Sequence, residues 1–151
     1  MKLDRQLEII VNDAANYGVP AVVIERAIAP VLKLFAEQLQ CLEYYILQNI
    51  EQDWVLTTIA NPQVQQDKKV IYAFKSLKDA ATFHGSSNLM AMPIPIAQLL
   101  FRLFSLQQVD SIIFLEDSLN LNRGVEIERN HISILIREQI KQLNNNPPHI
   151  A

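Results

Sequence analysis

Val70-Ile71-Tyr72-Ala73-Phe74-Lys75-Ser76-Leu77-Lys78-Asp79-Ala80 changes its period halfway along. The first five residues are β-branched, aromatic or small, the composition of a half-buried strand. Ser76 then stands where a side-chain oxygen can accept from the free N–H groups of a first helical turn. Asp79 follows three residues on, where a negative charge favours the same helix end. A strand that runs directly into a capped helix places the chain among mixed α and β folds. The helix is expected to run to about Phe83, with His84 at its end and Gly85 closing it.

Upstream of this junction the pattern is first strand-like and then helical. Tyr44-Tyr45-Ile46-Leu47 and Trp54-Val55-Leu56-Thr57-Thr58-Ile59 are aromatic and β-branched runs around the polar Glu51-Gln52-Asp53, which reads as a hairpin. Gln63 to Lys69 is polar and reads as a loop. Before residue 41 the period is helical. Leu3, Leu7, Ile10, Val11 and Ala14 predict a first helix over about Leu3 to Asn16. Val31, Leu34, Phe35 and Leu39 continue the stripe beyond Pro30, which lacks a donor and crowds the preceding turn, and so breaks the preceding helix or begins another.

Downstream, Leu89 to Met92 is a candidate strand, and Pro95 suits the start of a helix reaching about Leu106. Ile96, Leu99, Leu100, Phe101, Leu103 and Phe104 cover most of that helix's circumference. A helix apolar on nearly all sides is buried on more than one side. Val109 to Leu115 and Val125 to Ile127 read as strands separated by a polar turn. Asn130 caps a last helix carrying Ile132, Leu135, Ile136 and Ile140.

The expected fold is α+β: a mostly antiparallel sheet of four or five strands with helices packed against it. It forms one domain over residues 1–143, with 1–40 as a helical cap and 41–143 as sheet and helices. Residues 144–151 carry two prolines and no periodicity and read as a loose tail. The 151 residues suit one domain, and 50% hydrophobic against 19% charged is a globular balance.

The strand and capped helix at 70–80, together with Val109-Asp110-Ser111-Ile112-Ile113-Phe114-Leu115 and Val125-Glu126-Ile127 before another capped helix, resemble the small α/β domain family named for enhanced serine sensitivity. The likeness spans about residues 54–143 and leaves out the N-terminal helices. It implies a binding or regulatory domain, and it brings no catalytic residues with it.

The net charge of −3 gives the whole molecule no attraction for phosphate backbones, so no nucleic-acid partner is expected. Lys68, Lys69, Lys75 and Lys78 surround Tyr72, but lysines flanking a strand also guard its edge against unwanted pairing. The single cysteine, Cys41, allows no internal disulfide and suits a reducing, cytoplasmic setting. It reads as a small core residue. The most apolar window, 92–106, is interrupted by Pro93, Pro95, Gln98 and Arg102, so no membrane insertion is expected. The histidines are scattered, and the turn from Glu116 to Asn122 has leucines where a calcium loop needs oxygens. No metal or cofactor is expected.

These observations favour a non-catalytic protein-interaction or regulatory module, working with a protein partner or as a homodimer. Its expected surface is the 95–106 helix, through Leu99, Phe101, Leu103 and Phe104. The same residues also suit a central helix covered by the N-terminal cap. The alternative is a small-ligand or enzymatic pocket near residues 115–122, built from His84, Asp117 and Asn120, because α/β domains often bind ligands at strand ends.

Overall fold

Ser76 does cap the helix that follows the central strand: its Oγ accepts from the Asp79 N–H at 3.1 Å. The structure is a computed structural model, and it describes residues 1–61, 66–84, 88–116 and 123–145, without the side chains of Asn61 and His84. The strands are β1 (Glu43–Gln48), β2 (Thr57–Asn61), β3 (Gln66–Phe74), β4 (Met90–Pro95), β5 (Ser111–Leu115) and β6 (Gly124–Glu128). The helices are α1 (Leu3–Asn12), α2 (Ala14–Tyr17), α3 (Ala21–Val23), α4 (Ala29–Ala36), α5 (Leu77–His84), α6 (Ile96–Ser105) and α7 (Arg129–Asn145). The fold is α+β. α7 reaches past Asn144, where a loose tail was expected, and residues 146–151 lie outside the described residues.

The six-stranded sheet has the order β4-β1-β3-β5-β6, with β2 also bonded to β3. Every pairing is antiparallel except β3 with β5. The sheet is therefore mixed, and it has one strand more than the upper expectation. The parallel pair arises because α5, β4 and α6 all lie between β3 and β5, a connection long enough for a crossover.

β3 accounts for the extra pairing. Gln66 to Lys69, read as loop from their polarity, form its first half and pair with β2 from Asn61↔Gln66 to Thr57↔Val70. Its second half pairs with β1 at Tyr45↔Phe74 and Ile46↔Ala73. The expected hairpin is reduced to its tip. Gln48 bridges Trp54, and Asn49 Oδ1 accepts from the N–H groups of Glu51 and Asp53 at 2.9 and 3.0 Å. Beyond that tip the chain leaves β1 and joins β3.

Alternation along the strands sorts the core into two faces. Tyr44, Ile46, Ile71, Ala73, Ile112, Phe114 and Ile127 face the large cluster that also contains the N-terminal helices, α6 and α7. Leu47, Phe74 and Leu115 face a smaller cluster under α5. Leu99, Leu100 and Leu103 of α6 are fully buried between the sheet and the N-terminal helices.

Pro30 does not break the cap. α3 runs into a π-helical segment, Ile24–Ile28, and that into α4. The wider turn, with the Ala29 N–H bonded to the Ile24 carbonyl, precedes the residue that cannot donate. Ile24, Ala27, Ile28, Val31, Leu32 and Phe35 all stay buried across it.

Candidate functional site

Tyr17 ends α2, and Gly18 closes it in the left-handed region at φ 68°. That turn leaves the Tyr17 ring 44% exposed on the outer surface of the helical layer. There it meets Phe101 of α6 edge-on, with ring centroids 4.7 Å apart. Two hollows meet at Tyr17. One, of about 300 Å³, is lined by Met1, Gln6, Ile9, Ile10, Asp13, Tyr17, Pro95 and Gln98. The other, of about 240 Å³, is lined by Tyr17, Gln98, Phe101, Arg102, Ser105 and Leu106. Tyr17 and Gln98 belong to both, so the two hollows form one groove between α1–α2 and α6.

The groove has a charged group at each end. Asp13 lines the first hollow and Arg102 the second. Burial pushes the Tyr17 phenol up from its ordinary value, Asp13 adds to that, and Arg102 opposes it. Burial pulls Arg102 below its ordinary value, with Tyr17 acting the other way. The Arg102 guanidinium carbon lies 4.0 Å from the centre of the Trp54 ring, a cation on an aromatic face. Trp54 is itself buried, and its Nε1–H has no acceptor among the described residues.

Gln6 is one of the residues lining the first hollow. Its Nε2 donates to the carbonyls of Met1 and Leu42, each at 3.0 Å. Its Oε1 accepts from the Ala97 N–H at 2.9 Å. Pro95 precedes α6 and has no side-chain acceptor to offer, so a glutamine from another helix caps it instead. One buried side chain thereby locks α1 to the start of α6 and to the entry of β1.

The expected interaction residues separate. Leu99 and Leu103 are fully buried within the chain's own core, so neither presents a side chain to a partner. This corrects Leu99 and Leu103 as surface residues and agrees with the reading of a central helix: the N-terminal cap covers that side of α6. Phe101 is nearly buried and forms a groove wall. Phe104 is half-buried against the main core. Of the alternative pocket, Asp117 and Asn120 lie outside the described residues, as does the side chain of His84.

The lysines near Tyr72 do not act as one patch. Lys68 is paired with Glu126 and lies 3.3 Å from Glu128, while Lys75 bonds Gln40. Ser111, fully buried, donates to Glu126 at 2.6 Å. Burial opposes ionisation of Glu126, but Lys68 and Ser111 outweigh it and hold the carboxyl below its usual value. Cys41 is half-buried, and its N–H donates to the Tyr44 Oη at 3.3 Å. No described helix is long and apolar enough to cross a membrane.

Sequence reasoning missed Tyr17, Gln6 and Trp54 as partners of α6. Arg102 did carry a signal, as a lone cation inside the most apolar window of the chain. No family model matches the chain, and no curated protein matches it in sequence.

Proposed function

We infer that this domain is a non-catalytic protein-interaction module of the regulatory kind, acting in the cytoplasm, with the groove between α1–α2 and α6 as its docking site. The observation that carries the reading is the exposed Tyr17 ring packed on Phe101 between two apolar hollows. Binding energy at protein interfaces concentrates in aromatic and arginine side chains set in well-packed pockets, and this groove combines Tyr17, Phe101 and Arg102. The hollow of about 240 Å³ beside Phe101 is of a size to take a side chain of a docked segment. The resemblance to the enhanced-serine-sensitivity family points to the same class of function. The partner is another protein or a second copy of this chain.

Affinity capture at native expression level tests this. Wild type is compared with Tyr17→Asp, which sets a charge in the groove at a side chain that is 44% exposed and so leaves the core intact. The expected result is a partner recovered with wild type and lost with the variant, while both melt cooperatively at similar temperatures. Recovery of the same proteins in equal amounts with both chains contradicts the groove as the docking site.

A further inference from the structure

Among the described residues, half-buried cations are matched, with one exception. Lys33 lies 3.1 Å from Asp4, Lys68 pairs with Glu126, Lys75 bonds Gln40, and the Arg129 Nε donates to the Val109 carbonyl at 3.1 Å. The guanidinium of Arg102, equally half-buried, has neither a hydrogen bond nor a carboxylate among the described residues. The Trp54 ring holds its charge from beneath, but a ring face satisfies none of the guanidinium's five donors. Removing a cation from water without an acceptor is costly, so an arginine left this way favours an incoming anion. The walls around it are Phe101, Tyr17 and Leu106, which suit an apolar side chain.

We propose that the hollow over Arg102 receives a partner segment in which a carboxylate, from Asp or Glu, lies beside an apolar anchor side chain. The anchor packs on Phe101 and Tyr17, and the carboxylate takes a two-pronged hydrogen bond from the Arg102 fork. This deepens the docking reading and rests on it. It also states the discrimination: a lysine at the same place in the partner meets a like charge held on an aromatic shelf, and is rejected.

The probe is a random-peptide display library panned on the full chain, with Tyr17→Asp and Arg102→Gln as counter-targets. Trp54, the single tryptophan, reports binding of each selected peptide by its fluorescence. The expected peptides carry Phe, Leu or Met next to Asp or Glu, and they lose binding to the Tyr17→Asp chain. Changing their acid to the amide should weaken them about tenfold or more, as expected for one charge-assisted pair. On Arg102→Gln that difference should vanish while the apolar anchor still binds, and Arg102→Lys should keep part of it. Peptides with apolar anchors and no acidic preference would overturn the Arg102 assignment and leave the docking groove standing. Peptides that bind Tyr17→Asp as well as wild type, or no enriched peptides at all, would overturn both.

Discussion

Gln6 is the residue on which the geometry of the groove depends most. It is 4% exposed and spends its amide on Met1, Leu42 and Ala97. Gln6→Leu removes the cap of α6 and leaves the buried Ala97 N–H without a partner, while the Leu42 carbonyl keeps the Ile96 N–H. An unsatisfied buried group costs about 1–3 kcal/mol, and the loss in urea unfolding should fall in that range. A loss under about 0.5 kcal/mol, the scale of an ordinary surface change, would mean that α6 is held by packing alone. Nothing in the sequence marks Gln6, because a polar residue in the first turns of an amphipathic helix normally faces water. Its role depends on Ala97, far along the chain, and only the folded arrangement brings the two together.

Tyr44 makes a prediction against pH. Burial in the core pushes its phenol up to about 12 from the usual 10.0, with the Cys41 N–H bonded to its oxygen acting the other way. Below pH 10 the phenol is neutral in both states, and stability is independent of its titration. Between about 10 and 12 the unfolded chain releases the proton and the folded chain retains it. Stability therefore falls with rising pH across that window, by about 2–3 kcal/mol in all. Lys68, whose pKa is also raised, loses stability in the same direction. The contrast with Tyr44→Phe isolates the phenol: the variant should show a shallower fall above pH 10. Parallel stability curves for the two chains would contradict this assignment.

At the scale of elements, β4 shows how the sheet ends. The Ile96 N–H bonds the Leu42 carbonyl at 2.9 Å, so by alternation the donors of residues 92 and 94 face β1. Pro93 and Pro95 therefore fall on the outward side, where an exposed N–H would invite another strand. Pro93→Val restores a donor and a β-forming side chain on that edge. The variant should self-associate at concentrations where wild type does not, as read by light scattering. If it scatters like wild type, the prolines serve only the turn into α6.

The elements that were legible in the sequence have strong local signals. Ser76 and Asp79 marked α5, Pro95 marked α6, and the aliphatic runs marked β1 and β5. The misreadings arise where tertiary pairing overrides composition. Gln66 to Lys69 are polar, yet they form strand because β2 supplies hydrogen-bond partners along them. Pro30 suggested a break or a new start; it does lie in the first turn of α4, but a π turn joins α4 to the preceding helix and keeps the buried stripe in register. The groove was half legible. Phe101 and the all-round apolarity of α6 were visible, but Tyr17 and the stacking of Arg102 on Trp54 depend on how three distant segments meet.

At the scale of the whole molecule, the sheet's two faces are unequally covered. α5 alone packs on one face, whereas α1, α4, α6 and α7 share the other. The N-terminal helices are therefore part of the main core. Leu32, Leu99, Leu100 and Leu103 are all fully buried in it. Removing residues 1–40 would expose several of them together, and each large aliphatic side chain contributes roughly 1.5–3 kcal/mol by its burial. The truncated chain should aggregate or lose its cooperative transition. A monomeric truncation that melts near the full-length temperature would show that the helical layer is an appendage. The groove requires the same integrity, because its walls come from both sides of the boundary between cap and sheet domain.

The central claim is that the groove beside Tyr17 is where another protein docks. Site-specific photo-crosslinking in cells addresses it directly. A photoreactive side chain is placed in turn at Tyr17, Gln98 and Ser105 along the groove, and at Leu34 and Ile134, which are 58% and 47% exposed elsewhere on the helical layer. A discrete protein adduct, of another protein or of a second copy, is expected from the groove positions, and none from Leu34 or Ile134. Adducts of equal yield at all positions, or at Leu34 and Ile134 alone, would contradict it.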